Sequence, residues 1–206
     1  MAVLQIMHAR PYGTYAEMIA YTGPKGRGNE FLVTDYGVGA GLIFEWNGSA
    51  WVLPGRIQVV ARTATPVAAS GTSETLLFTA NYPPLGISDG GMLRFGVNFT
   101  NPGNTNLKTV TTKLAGTAIW TQGYNNANHV GLTHDVPFRN RGATNSQVSG
   151  HNNANVYGTG PSQLSTSTIQ TNVATALTLH GTKAVSGDTL EMEFADALVW
   201  GGTALP

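Results

Sequence analysis

The stretch Phe31–Trp51, FLVTDYGVGAGLIFEWNGSAW, constrains the fold more than any other part of the chain. In Leu42-Ile43-Phe44-Glu45-Trp46 the residues Leu42, Phe44 and Trp46 share one face of an extended strand while Glu45 points the other way. That is the period-two pattern of a half-buried sheet. Gly37, Gly39 and Gly41 make a flexible turn before this strand, and Asn47-Gly48 supplies the positive backbone angles of a tight hairpin after it. Upstream, Thr14-x-x-Glu17 followed by Met18 and Ile19 is a capping box that starts a helix. Thr22-Gly23-Pro24 ends it after a turn or two. Residues 1–56 are too few to bury a self-sufficient core. They are expected to form a small β-hairpin adaptor that packs on another chain or on the rest of this one, with Phe31, Leu42, Phe44, Trp46 and Trp51 as its core and attachment surface.

The remaining residues read as strands. Residues 57–73, with Thr65-Pro66 and Ser70-Gly71-Thr72-Ser73, are expected to be a linker. From 74 to 206 short alternating segments recur between turn signals such as Asn101-Pro102-Gly103-Asn104 and Ser186-Gly187-Asp188. Leu93, Phe95, Val97 and Phe99 alternate with Arg94 and Asn98, and Leu190, Met192 and Phe194 with Glu191 and Glu193. Ser167–Leu179 reads as one strand. This spacing predicts an all-β fold, an antiparallel jelly-roll-like β-sandwich.

Composition narrows the function. Of 206 residues, 41% are hydrophobic, enough for a packed core, whereas only 11% are charged, against about 25% in ordinary soluble domains. Thr, Asn, Gly and Ser carry the polarity instead. Lys plus Arg equals Asp plus Glu, 11 each, with no basic cluster, so no nucleic-acid partner is expected. The absence of cysteine removes disulfides, thiolate catalysis and cysteine-based zinc sites. Durability is then expected to come from oligomerisation. The N-terminus lacks the features of a signal peptide and no apolar run is long enough for a membrane span. The expectation is synthesis in a cytoplasm without membrane insertion.

The Thr34-Asp35…Phe44-Glu45-Trp46-Asn47-Gly48-Ser49-x-Trp51 phrase resembles a small module that recurs in fibre, spike and head-surface proteins of tailed bacteriophages, where it precedes a sandwich domain. A second resemblance lies in Leu132–Ser149 and in Thr168-Ile169-x-Thr171…Leu177-x-Leu179, which is similar to the C-terminal sandwich of phage fibres. The resemblance implies a non-enzymatic protein of the virion surface that assembles as a homotrimer and contacts other virion proteins, either the major capsid protein or tail proteins. The compact chain, without a stalk, suits a capsid cement or decoration protein. The alternative is the distal, receptor-binding part of a short tail fibre or tailspike that recognises a host surface glycan.

Few motifs carry chemistry. Gly37-x-Gly39-x-Gly41 opens a strand and not a helix, so it is not a dinucleotide fingerprint. Asn47-Gly48-Ser49 and Asn98-Phe99-Thr100 fit the glycosylation pattern and read more simply as a turn and a strand. The histidines His8, His129, His134, His151 and His180 show no ligand spacing, so no metal or cofactor is expected; on a trimer axis His129 and His151 would be the ligands to examine. Glu191 and Glu193, about 7 Å apart on one strand face, are within the separation of glycosidase carboxylates but read as a solvated face. No catalytic residue is assigned. Two polar loops are the expected contact surfaces: Gln122–Gly131, where Tyr124 offers a stacking ring and Asn125, Asn126, Asn128 and His129 offer hydrogen bonds, and Ser149–Pro161, with His151, Asn153 and Tyr157.

Overall fold

The computed structural model describes residues 10–37, 41–84, 91–101, 103–128, 131–150 and 164–201. The first elements are β1 (Tyr12–Gly13), α1 (Tyr15–Ala20), β2 (Glu30–Val33), β3 (Leu42–Trp46) and β4 (Trp51–Val52). The four strands form one sheet in chain order, β1 parallel to β2 and the others antiparallel. The capping box forms: the Glu17 amide donates to Thr14 Oγ1 at 3.2 Å, and the Thr14 amide donates to Glu17 Oε2 at 2.7 Å. Asp35 adds a third cap by accepting from the Tyr15 amide at 2.8 Å. The turn after β3 is longer than a two-residue hairpin. Trp46 pairs with Trp51 across four residues, and Asn47 Oδ1 organises them by accepting from the Ser49 and Ala50 amides, each at 2.9 Å.

The following strands are β5 (Ile57–Thr63), β6 (Val67–Ala68), β7 (Thr75–Tyr82), β8 (Met92–Thr100), β9 (Lys108–Leu114), β10 (Thr117–Tyr124), β11 (Gly131–Asn140), β12 (Gln147–Gly150), β13 (Leu164–Ser167), β14 (Thr175–Lys183) and β15 (Glu191–Trp200). Four antiparallel pairs are nested inside one another: β9 with β10, β8 with β11, β7 with β14, and β5 with β15. This is one long folded-back ribbon. Rolling it brings β9 beside β14 and β8 beside β15, and so produces two sheets, β10-β9-β14-β7 and β11-β8-β15-β5, the latter extended by β12 and β13. Two four-stranded sheets with this nesting make a jelly roll. At the centre of the ribbon sits the two-residue turn Ala115-Gly116, both with positive φ, 50° and 77°.

Three expectations are corrected. Residues 57–73 are not a linker: Ile57-Gln58-Val59-Val60 starts β5, whose amides pair with β15, and β6 pairs there too. Ser167–Leu179 is not one strand. It breaks at 168–174, where the Thr171 amide and hydroxyl both donate to the Thr144 carbonyl, at 3.0 and 2.7 Å. The alternation in β15 does not continue past Met192, because a bulge between Met192 and Phe194 reverses its phase and Ala195, Ala197 and Val199 become the buried residues.

Phe95, Val97 and Phe99 of β8, Val110 and Leu114 of β9, Leu177 and Leu179 of β14 and Val199 of β15 fill the space between the sheets. Phe95 meets Trp120 edge to face at 6.2 Å across the gap. The same buried cluster continues into the N-terminal sheet through Trp51, Leu53, Phe31, Phe44 and Met18. Two contacts fasten the parts. The Gln58 amide side chain acts as a substitute strand, accepting from the Ile43 amide at 2.6 Å and donating to its carbonyl at 2.9 Å. Gly201 lies so close to Leu53 that a Cβ would meet its carbonyl oxygen at 1.9 Å.

A shared core predicts shared unfolding. Phe44→Ala should cost about 3–5 kcal/mol and lower a single thermal transition of the whole chain, followed by circular dichroism. A separate early transition would show that the N-terminal sheet melts alone. Ala115→Asn should raise stability by up to about 1 kcal/mol, since Asn tolerates the left-handed region that Ala resists; denaturant midpoints measure it.

Candidate functional site

The residues that carry the phage-module resemblance each have a structural task. Thr34 Oγ1 donates to the Gly13 carbonyl at 3.1 Å, Asp35 caps α1, and Asn47 builds the β3–β4 turn. Gly41 has φ +82°, and a side chain there would collide with the Val33 carbonyl. Phe31, Leu42, Phe44 and Trp51 face inward and are buried in the chain's own core; Trp46 alone among the five expected attachment residues stays half-exposed. Their rings interlock edge to face: Tyr21 with Phe31 and Trp51, Phe31 with Trp51, Trp51 with Trp46, and Tyr15 with Phe44. The open side of Trp46 carries Lys25, whose Nζ lies 5.0 Å from the ring centre. Four of the five are therefore closed to another protein.

The loop expected to make sugar contacts is corrected at its main residue. Tyr124 is the last residue of β10 and is 2% exposed, on the same inward phase as Trp120. Burial raises its phenol far above the ordinary range. It gives no stacking face to solvent. Asn125, Asn126 and Asn128 are exposed, with the Asn128 amide donating to Asn126 Oδ1 at 2.9 Å in an Asx turn. His129, His151, Asn153 and Tyr157 lie outside the described residues. Glu191 and Glu193 are separated by the bulge, and Glu193 Oε1 accepts from the Thr100 hydroxyl at 2.6 Å.

What sequence reasoning missed is the outer face of the β10-β9-β14-β7 sheet. Register places Thr121, Thr111 and His180 in one row, Thr109 and Thr182 in a second, and Lys113, Thr178 and Thr79 in a third. The result is a face rich in threonine hydroxyls, with Leu76 exposed beside His180. Its charges lie on the two central strands, where Lys113 of β9 donates to Glu74 at 2.7 Å and His180 Nδ1 of β14 lies 3.4 Å from the same carboxylate. The hydrogen bond from Lys113 is the main reason Glu74 is held below the usual carboxylate range; burial is the main reason His180 is held below the usual imidazole range. The signal was available in the sequence as Thr at alternate positions 109 and 111, and at 178 and 182, out of phase with the buried Val110, Leu177 and Leu179.

A second missed feature is the polar end of the sandwich. Lys108 is fully buried and Lys183 nearly so, directly opposite each other on β9 and β14. Lys108 Nζ pairs with Asp188 Oδ2 at 3.0 Å and donates to Asn104 Oδ1 and, at 3.0 Å, to the Asn106 carbonyl. Lys183 Nζ donates to the Ser186 and Asp188 carbonyls at 3.2 and 2.7 Å. Two ammonium groups thus hold the 101–107 and 184–190 loops together. Burial pushes the Asp188 carboxyl up, but hydrogen bonds from Lys108, Asn104 and Asn106 outweigh it, so the group lies below its ordinary value of 3.8.

No protein-family model and no curated protein matches the sequence. Among solved structures, the chain is similar to dimeric latent PorU from Porphyromonas gingivalis (9% identity, 83% of this chain and 14% of that one, TM-score 0.38). It is also similar to the structure of the Gx strain of infectious bursal disease virus (13%, 85% and 38%, TM-score 0.37). A third is the CBM36-1 domain of a multidomain xylanase from the hindgut metagenome of Trinervitermes trinervoides (13%, 73% and 100%, TM-score 0.30). The chain spans only 14% and 38% of the first two. Likeness at these scores carries no argument about function.

The Asp188 cluster gives a pH prediction. A carboxylate lowered in the folded state contributes stability that is present above its unfolded value and lost as pH falls through the folded value. Urea midpoints should therefore hold above about pH 5 and fall below about pH 4. Asp188→Asn should lower the midpoint at neutral pH, where Lys108 loses its counter-charge, and flatten the acid limb; an unaltered acid limb would assign acid sensitivity to other carboxylates.

Proposed function

We propose that the protein is a non-enzymatic structural component of a tailed-bacteriophage virion: a homotrimeric decoration protein on the outer head surface, seated on the major capsid protein. The observation that carries this reading is the union, in one buried core, of the module bearing the phage-type phrase with a jelly roll, an architecture used by viral capsid and lectin domains. Fold alone does not decide function, and the surface chemistry adds the second support. A threonine-rich face whose few charges are paired with one another suits close, salt-tolerant packing against another protein, because little unpaired charge must be desolvated.

The second reading, a distal tail-fibre or tailspike part that meets host glycan, is favoured by the exposed amides of Asn125, Asn126 and Asn128. Location on the particle separates the two. Purified virions probed with an antibody to the protein should show label over the whole head; label confined to the tail tip selects the second reading. Light scattering coupled to size exclusion should give roughly three times 21.6 kDa. A stable monomer at low micromolar concentration removes the trimer from either reading.

A further inference from the structure

With Tyr124 buried, an aromatic contact has to be sought elsewhere, and the half-buried Tyr21 beside the N-terminal sheet provides one. A cleft of about 700 Å³ opens between the start of β1 and the 21–30 segment, lined by Arg10, Tyr21, Asn29, Glu30 and Trp51 and edged by the backbone of Gly26 and Gly28. We propose that this cleft binds a sugar bearing a carboxylate, a uronic-acid type of residue.

The charge argument comes first. Glu30 has both oxygens occupied: Arg10 Nη2 pairs with Oε2, and Arg56 Nη2 donates to Oε1 at 2.6 Å. Each guanidinium has donors beyond the one spent on Glu30, and of the two it is Arg10 that lines the cleft; register places Glu45 opposite Glu30, so the two arginines face two carboxylates. Arg10 and Arg56 remain 43% and 45% exposed. A planar fork of this kind matches a carboxylate.

The remaining lining suits a pyranose ring. Tyr21 is half-buried, and its ring is fixed by edge-to-face contacts with Phe31 at 5.7 Å and Trp51 at 6.2 Å, so the platform is ordered before a ligand arrives. Asn29 spends one amide hydrogen on the Pro24 carbonyl at 3.3 Å and keeps its side-chain oxygen as an acceptor for a ring hydroxyl. Gly28, with φ +87°, leaves that wall without a side chain. The Trp51 indole N–H has no partner but is closed to solvent, so it is not counted among the contacts. The size falls in the range of small-ligand pockets, about 300–1,000 Å³. The inference goes beyond the structural role, since such a cleft serves a protein of the head surface or of the tail equally.

The test is saturation-transfer NMR on the intact chain with methyl glucuronide, methyl glucoside and acetate. Glucuronide should bind in the millimolar range, roughly tenfold more tightly than glucoside, with acetate weaker than glucuronide. Arg10→Gln should reduce glucuronide to the glucoside level without moving the thermal transition. Tyr21→Ala should abolish binding of both sugars, and Tyr21→Phe, which keeps the ring, should retain it. Equal binding of glucuronide and glucoside, acetate matching glucuronide, or unchanged glucuronide binding in Arg10→Gln would each overturn the proposal, as would no binding at all. None of these results bears on where antibody labels the particle.

Discussion

The nested pairing of β5 with β15 around β7 with β14, β8 with β11 and β9 with β10 is the constraint on which the rest of this molecule depends. Because the pairs are concentric, only the innermost is local in sequence, joined by the tight Ala115-Gly116 turn. Every outer pair closes a longer loop at greater entropic cost. β15 completes the arrangement by pairing with β8 on one edge and with β5 and β6 on the other. The N-terminal sheet then has a fixed place, since Gln58 of β5 pairs with Ile43 and Gly201, which follows β15, packs on Leu53.

Where the pattern was local, it could be read directly. The capping box at Thr14, the alternation in β8 and the strand around Phe44 need no partner to declare themselves. Features set by a partner were hidden. The bulge after Met192 exists because β15 must match β8, and β5 looked like a linker because the turn residues that follow it mask the β-branched run Ile57–Val60. Tyr124 was misread for a related reason: Gly123 and Asn125 beside it suggest a loop, although its phase with Trp120 pointed inward. Lys108 was in phase with Val110 and Leu114 throughout, yet an inward lysine is not expected until its oxygen partners on two distant loops are in place.

Legibility of the surface was poorer still. Tyr124, expected to reach outward, is core, and of the module residues expected to be both core and attachment surface only Trp46 stays half-exposed, while outward chemistry lies in residues with weak individual signals. Threonines become a face only when register places them in rows, and Arg10, Tyr21 and Glu30 become a cleft only when the 21–30 segment folds back. The low charge content makes the disposition of each charge consequential. Glu30, Glu74, Asp135 and Asp188 are each paired with a basic side chain.

The burial of Lys108 and Lys183 has a practical consequence for amine chemistry. Of the four lysines, these two have their ammonium groups enclosed by loop oxygens, whereas Lys25 is exposed and Lys113 keeps 24% of its side chain open. An amine-reactive reagent will therefore discriminate among the lysines by position, marking the rim of the aromatic module and the threonine-rich face of the sheet and sparing the loop end. The lysine-borne labels of such a conjugate then sit at two known places in the fold, without any engineered residue.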